Sequence, residues 1–195
     1  MAAVSLDEAK DFLNIPRSSI NSDAELQTFV DAASAMWERR VGPVESHAYT
    51  EWYDGGTQTI VLAKSPVLTI TSVIESHGST VKYTLTNQPL DTATSMDAWG
   101  YTIDVDTATL TRRASGVAVP FAEGKRNIKV AYTAGYATVP ADVKHAILLL
   151  ILHLWQTQRG GSARRPTDEW RPDMAFTWPA RVEEIAASLM IPGIA

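Results

Sequence analysis

The length, composition and charge of the chain are those of a globular protein. It has 195 residues, of which 45% are apolar and 20% charged, and this balance excludes wholesale disorder. It has no cysteine, which excludes disulfides, thiolate nucleophiles and cysteine-ligated metal sites. A net charge of −5 disfavours tight binding of DNA or RNA, although an acidic wall suits a passive conduit for DNA.

The chain has no predicted targeting or membrane segment. Its first residues lack the basic start and the apolar run of a signal peptide. The longest apolar run, residues 146–152, is far shorter than the ~20 residues that a membrane span requires. We therefore expect a soluble protein that stays in a cytoplasm and has no contact with a membrane.

Two amphipathic helices are predicted in the first 45 residues. The first begins at a capping box formed by Ser5 and Glu8, and it ends before Pro16. The second begins at a similar box in residues 22–25 and ends at Gly42, which is followed by proline. Its apolar face recurs at spacings of three and four: Leu26, Phe29, Val30, Ala33, Trp37 and Val41.

From His47 to Tyr132 the chain is rich in Thr, Val, Ile and Tyr, with turn residues about every ten positions. This pattern predicts six or seven short strands in a compact antiparallel sheet, small barrel or sandwich. Residues 54–56, Asp-Gly-Gly, predict a hairpin between strands at 49–53 and 58–62. The other expected features are strands at 68–74, 82–86, 101–105, 109–113 and 128–132, a tight turn at 106–108 and a long loop at 87–100.

Helices return after the strands. A helix is predicted from Pro140 to the Arg-Gly-Gly sequence at 159–161, and its middle, residues 147–152, is apolar on every side. Residues 162–178 are polar and long for a simple connection. A last short helix begins at Pro179, and an apolar tail that is incompatible with a helix follows it.

The predicted fold class is α+β, with a helical bundle frame built from both chain ends and an inserted small antiparallel β domain. The predicted boundaries are 1–45 for the first helices, 46–134 for the β domain, and 135–195 for the last helices and a docking tail. In the core of the frame, Leu26, Phe29, Val30 and Trp37 are expected to pack against Ile147, Leu148, Ile151 and Trp155.

No residue pattern predicts a catalytic, cofactor or metal site. The chain contains none of the phosphate-binding, zinc-protease, serine-hydrolase or dinucleotide motifs. His145 and His153 lie on one helix but about 12 Å apart along it, too far to share a metal. Asp104 and Asp106 share a strand face and offer a weak hydrolase hypothesis, but a solvated hairpin end is the favoured interpretation.

The basic and aromatic residues of the long polar segment are candidates for an interface. Arg159, Arg164 and Arg165 form a basic cluster beside Trp170 and Trp178. Exposed aromatic residues near arginine are typical of protein interfaces. The alternative, that the tryptophans fold back onto their own subunit, stays open.

Taken in order, several stretches resemble the head–tail connector proteins of tailed bacteriophages, also called adaptor or head-completion proteins, in their longer form with a β insertion. The match depends on order and spacing along most of the chain. Its parts are LDEAKDFL at 6–13, residues 23–44 with their RRVGP ending, EWYDGG at 51–56, SPVL at 65–68, VAYTAGY at 130–136, and VPADVK at 139–144 with the helix to 155.

The resemblance implies a ring, usually of twelve subunits, in the virion neck between capsid and tail. Such a ring docks under the portal protein, extends the DNA channel without specific DNA binding, and offers a platform to a tail or stopper protein. It implies no enzymatic activity and no cofactor. The predicted portal or subunit interface comprises Arg164, Arg165, Trp170, Trp178, Met190, Ile191, Pro192 and Ile194.

A second hypothesis comes from the aromatic residues of the β segment. Trp52, Tyr53 and Trp99, among threonine-rich strands, are also compatible with a receptor- or carbohydrate-binding module of a phage particle. In that case the β segment would bind the receptor or carbohydrate, and the helices would only support it.

Overall fold

The computed structural model describes residues 3–77, 81–88, 99–159 and 177–190. The chain is α+β and divides into two compact units, Met1–Glu45 with Thr138–Ala195, and Ser46–Ala137. We call the first the α unit and the second the β unit. The β unit is inserted in the sequence between the two parts of the α unit.

Four helices form the α unit within the part of the chain that the structure describes. They are α1 (Leu6–Phe12), α2 (Asp23–Arg40), α3 (Ala141–Arg159) and α4 (Ala180–Leu189). Helix α3 contacts each of the other three helices, and α1 also contacts α2. Helices from both ends of the unit's sequence therefore share one core.

The start of α1 confirms its predicted capping box, whereas the box predicted for α2 is wrong. The Glu8 amide donates to Ser5 Oγ at 3.2 Å, and the Ser5 amide donates to Glu8 Oε2 at 2.8 Å. Ser22 makes no such bond, because its ψ of 8° departs from the extended backbone that lets a capping side chain turn back. Helix α2 ends as predicted, with Gly42 at a φ of 142°.

The core of the α unit joins the apolar faces of its helices. Phe29 of α2 meets Trp155 of α3 edge to face, with ring centroids 6.0 Å apart. Leu148 and Trp155, which were also expected in this core, are half-buried. The buried residues of α2, α3 and α4 are Leu26, Phe29, Val30, Ala33, Trp37, Val143, Ala146, Ile147, Leu150, Ile151, Leu154, Val182, Ile185 and Ala186.

The β unit contains one mixed sheet. Its order is β1-β8-β3-β4-β5-β6-β2, with β7 beside β6. The pair β4–β5 is parallel, so the prediction of an entirely antiparallel sheet is wrong there. The strands are β1 (His47–Tyr53), β2 (Thr59–Val61), β3 (Val67–His77), β4 (Val81–Asn87), β5 (Gly100–Asp104), β6 (Thr109–Ala114), β7 (Val117–Ala118) and β8 (Ile128–Ala134).

The predicted hairpin at residues 54–56 is wrong. Strand β1 pairs with β8 along its whole length, from His47 opposite Ala134 to Tyr53 opposite Ile128, while β2 pairs with β6. The segment between them therefore connects two strands that are not neighbours in the sheet.

Residues 54–56 pack against the loop before β8, which explains why they form no hairpin. Asp54 accepts hydrogen bonds from Lys125 Nζ and the Arg126 amide, each at 2.8 Å. Gly55 lies so close to this loop that a Cβ there would be 1.8 Å from the Ala122 carbonyl oxygen. The glycine is therefore needed for close approach of two backbones rather than for a tight hairpin turn.

Candidate docking surfaces and internal networks

Trp178, a predicted interface residue, lies just before α4 and packs on its own chain. Its ring stacks on Trp37 of α2, with centroids 6.0 Å apart and planes 12° apart. The Arg40 guanidinium lies 4.5 Å from the Trp178 ring centroid and also pairs with Glu183 of α4 at 3.0 Å. Trp178 is only half-buried, so this contact fixes the start of α4 on α2 while part of the ring stays accessible.

Met190, the first residue of the predicted docking tail, follows directly after α4. Its amide donates to the Ala186 carbonyl at 3.1 Å, and its backbone is extended, with φ of −74° and ψ of 129°. The chain thus leaves the helix in a strand-like conformation. The other predicted interface residues lie outside the described residues: Arg164, Arg165, Trp170, Ile191, Pro192 and Ile194.

The three aromatic residues of the receptor-binding hypothesis belong to different clusters. Trp52 is 44% exposed on β1, where Lys129 of β8 lies 5.7 Å from its ring centroid. Tyr53, the next residue, points to the opposite face of the strand. Trp99 stacks on Tyr83 of β4, with centroids 3.9 Å apart and planes 4° apart. The structure therefore does not assemble them into one aromatic surface.

Tyr53 belongs to an internal network centred on Glu51. The hydroxyls of Tyr53 and Tyr132 both donate to Glu51 Oε2, and they accept from the amides of Ala63 and Lys64 at 3.0 and 3.1 Å. Burial, followed by the hydrogen bond to Glu51, raises the pKa of each tyrosine well above its usual value. The network fastens the segment between β2 and β3 to β1 and β8.

A buried ion pair crosses the β unit, and sequence reasoning missed it. Arg112 Nε of β6 lies 3.1 Å from Glu75 Oε2 of β3, and their exposed fractions are 4% and 1%. The Ala122 amide donates to the other carboxylate oxygen. One signal in the sequence was available, because Glu75 and Arg112 alternate in phase with the buried positions Val73 and Leu110.

Aromatic rings cover this ion pair. The Trp99 ring centroid lies 5.0 Å from the Arg112 guanidinium carbon. The His77 ring meets both Trp99 and Tyr83 edge to face, at 5.5 and 5.1 Å, and its Nε2 lies 3.7 Å from Glu75 Oε2. These contacts give Trp99 a structural role in covering buried charge.

Asp104 stabilises the turn between β5 and β6. Its carboxylate accepts from the amides of Asp106 and Thr107 at 3.1 and 3.4 Å, and from Thr107 Oγ1 at 2.8 Å. The Thr107 hydroxyl is the main cause that lowers the pKa of Asp104. This arrangement is that of a side-chain-capped turn, as the favoured interpretation of the sequence expected.

The structure also describes the surroundings of His145, one of the two histidines of α3 that were considered as metal ligands. His145 packs edge to face on Phe12, with ring centroids 6.0 Å apart. Within residues 3–77, 81–88, 99–159 and 177–190, no three His, Asp or Glu side chains converge as a metal site. No helix in the same ranges has the length and apolar character needed to cross a membrane.

The sequence matches a family model described as head completion protein, over residues 2–165. The chain belongs to this family. The match includes the β unit and all of α1, α2 and α3. Among curated proteins, none matches the sequence.

Solved chains from gene transfer agent particles are similar in fold to this head completion family member. One is from the neck of the empty particle computed with C6 symmetry: 20% identity, TM-score 0.54, over 94% of this chain and 89% of that chain. Another is from the neck of the native particle computed with C12 symmetry: 20% identity, TM-score 0.56, over 94% and 88%. A third, from the virion of the native particle, has 18% identity and a TM-score of 0.62, over 96% and 89%.

Proposed function

We propose that this head completion family member is a structural virion protein that forms a ring-shaped head-to-tail connector. In this role the ring, of twelve copies, docks under the portal protein in the virion neck and extends the DNA channel. It also offers a platform to a tail or stopper protein. The family match over residues 2–165 is the observation that carries the proposal.

The fold similarities support a ring. Chains of this fold occur in particle necks computed with C6 and C12 symmetry, and those chains are covered over 88% or more of their length. A closed ring requires two complementary surfaces on each subunit. Copies of this chain are therefore proposed as its first partners, with the portal and a tail or stopper protein at the two ends of the ring.

The α unit is proposed as the rigid frame of each subunit. Ion pairs connect its helices in addition to their apolar core, and Lys10 of α1 lies 2.6 Å from Asp23 of α2. Lys144 of α3 lies 2.7 Å from Glu8 of α1, and Arg40 of α2 lies 3.0 Å from Glu183 of α4. The β unit is then an insertion that such a frame carries.

The charge and the side-chain inventory suit a passive DNA channel. The net charge of −5 opposes tight contact with phosphates, so DNA passes the ring without specific binding. The proposed role requires neither catalysis nor a cofactor. Assembly takes place in the host cytoplasm, and the finished ring stays in the virion.

A mass measurement of the purified chain, alone and with its portal protein, tests the proposal. The chain alone has a mass of 21.3 kDa as a monomer, or a multiple of it as a ring. With portal, we expect one complex that contains a ring of copies. A chain that remains free at every portal concentration contradicts the proposal, and a glycan screen then tests the receptor-binding alternative.

The docking tail is proposed as part of the attachment. Removal of residues 190–195 leaves the buried residues of α4 intact, so the truncated chain should keep its helix content in circular dichroism. We expect it to lose binding to portal in the mass measurement. Normal occupancy of the truncated chain on DNA-filled heads places the attachment elsewhere.

A further inference from the structure

One face of the sheet in the β unit carries basic side chains at one end. Strands β1, β8, β3 and β4 are neighbours in that order. Lys129 of β8 lies opposite Trp52 of β1 and Ile74 of β3. Lys82 of β4 lies opposite Ser76, two residues after Ile74. Because opposite residues and alternate residues point to the same side of a sheet, Lys82 and Lys129 share this face.

The loop before β8 adds two more cations at the same end of the sheet. Lys125 and Arg126 precede Asn127, whose carbonyl accepts from the Ser76 amide at 2.9 Å. The Arg126 amide donates to Asp54 at 2.8 Å, and its backbone is held in the left-handed region, with a φ of 48°. These contacts fix the backbone at Arg126 while its side chain is exposed. We call the four cations the basic end: Lys82, Lys125, Arg126 and Lys129.

The positive charge of the basic end is only partly balanced. Lys125, whose side chain is 90% exposed, pairs with Asp54, and Glu123 lies in the same loop. Within the part of the chain that the structure describes, no carboxylate pairs with the other three cations of the basic end. Four cations and two carboxylates leave two positive charges here, in a chain whose net charge is −5.

Two exposed carboxylates lie at the opposite end of the sheet. Strand β5 runs parallel to β4 and begins beside Thr86, near the end of β4. It therefore leads away from Lys82 and toward the turn that contains Asp104 and Asp106. The sheet thus separates positive from negative charge along its strands.

We infer that the basic end faces the DNA in the channel and contacts its phosphate groups without reading the base sequence. The inference rests on the proposed connector role, which supplies duplex DNA as the polyanion. Exposed lysine and arginine side chains bind phosphates, and such contacts carry no sequence information. A closed ring repeats the basic end at equivalent positions around its axis, so one duplex meets the same surface of every copy.

The contact is weak enough to let DNA pass. Each copy offers four cations, and Lys125 is already paired with Asp54. Because the phosphates along a duplex are equivalent, a moving duplex exchanges one phosphate contact for the next. An acidic surface of a second copy or of a partner protein is the competing occupant of the basic end, and the tests separate it from DNA.

Titration of a short mixed-sequence DNA duplex with the full chain, followed by fluorescence anisotropy, tests the inference. With three or four phosphate contacts per copy, the affinity should fall about forty- to a hundred-and-fifty-fold between about 50 and 200 mM salt. Replacing Lys82, Arg126 and Lys129 together by Gln should lower the slope of log affinity against log salt by about 3.

Three exposed arginines outside the β unit provide the matched control. Arg17→Gln, Arg39→Gln and Arg181→Gln together change the net charge by the same three units and should leave the slope nearly unchanged. An equal loss in the control makes net charge responsible and overturns the inference. A parent chain without salt-dependent binding, or a basic-end variant with the parent's slope, overturns it as well.

Photo-crosslinking in assembled particles gives an independent measurement, because the chain has no cysteine of its own. A chain with Arg126→Cys receives a photoactivatable aryl azide on the new thiol and is assembled into DNA-filled heads. We expect irradiation to join the protein to DNA. Asp106→Cys, at the opposite end of the sheet, is the matched control and should give at least tenfold fewer adducts. Equal yields from the two positions, or none from Arg126→Cys, contradict the inference.

Assembly with portal separates this inference from the connector role. The variant that lacks three cations of the basic end should form the same complex with portal as the parent chain in the mass measurement. If it no longer forms a ring or joins portal, the basic end contacts protein, and the inference is wrong while the connector role remains. A parent chain that binds the duplex but never joins portal keeps the DNA contact and removes the connector role.

Discussion

The buried pair of Glu75 and Arg112 offers a sharp test of how the β unit is stabilised. Glu75→Gln removes the negative charge and leaves the shape nearly unchanged, so the Arg112 guanidinium, 4% exposed, keeps a buried charge without its partner carboxylate. Breaking a buried pair in this way costs about 3–5 kcal/mol. For a unit of this size, each kcal/mol lowers the melting temperature by about 4–8 °C. We therefore expect the β unit to melt at least about 12 °C lower.

The assay is thermal unfolding of the full chain followed by near-ultraviolet circular dichroism, to which the Trp99–Tyr83 stack above Arg112 contributes. Replacing both charges, Glu75→Leu with Arg112→Met, should recover most of the lost stability, because no unpaired charge remains. Lys125→Met, which breaks an exposed ion pair with Asp54, is the control and should leave the melting temperature nearly unchanged. A Glu75→Gln chain that melts within about 2 °C of the parent would refute the reasoning.

Three further predictions follow from the described contacts. Ile151→Asp buries an unpaired charge in the core of the α unit and should abolish its folding, seen as loss of helical circular dichroism and of soluble protein. Replacing Asp104 and Asp106 together by Asn should leave particle assembly and infectivity intact, since Asp104 caps a turn; a loss of infectivity with normal assembly in a plaque assay reveals a missed site. The hydrogen bond from Lys144 is the main cause that lowers the pKa of Glu8 from its ordinary 4.5, so its stabilising effect is present above pH 4.5 and is lost as the pH falls through the lowered value. Urea unfolding at pH 7 and at pH 3 should therefore show a smaller acid destabilisation for Glu8→Gln than for the parent, and equal losses contradict the assignment.

Local signals made most of the secondary structure predictable. The capping box at Ser5 involves residues three apart, and the alternation in β8 and in the second half of β3 follows from one more buried face per strand. Strand β7 has two residues, Val117 and Ala118, too few for alternation to mark it. The α+β class follows from these local patterns, because residues on one face recur about every 3.6 positions in a helix and every second position in a strand.

Pairings between distant residues were not predictable in the same way. The sequence around residues 54–56 does not indicate that β1 pairs with β8. The contacts that hold this segment in place come from Lys125 and the Arg126 amide, which lie far along the chain. The stack of Trp178 on Trp37 joins residues from opposite ends of the sequence. Of the predicted interface, only Trp178 and Met190 lie in described residues, and its docking role stays a prediction.

The side-by-side pairing of β1 and β8 has a consequence for the entropy of folding. His47 lies opposite Ala134, so the folded β unit holds the two points where the chain enters and leaves it about 5 Å apart. Without that pairing, bringing α2 and α3 together closes a loop of all the residues between Ser46 and Ala137. A folded β unit reduces this loop to the connecting residues 41–46 and 135–140, about a dozen, and by the logarithmic dependence on loop length it lowers the closure cost by roughly 2 kcal/mol. The β unit thus assists assembly of the helices simply by keeping its own ends together.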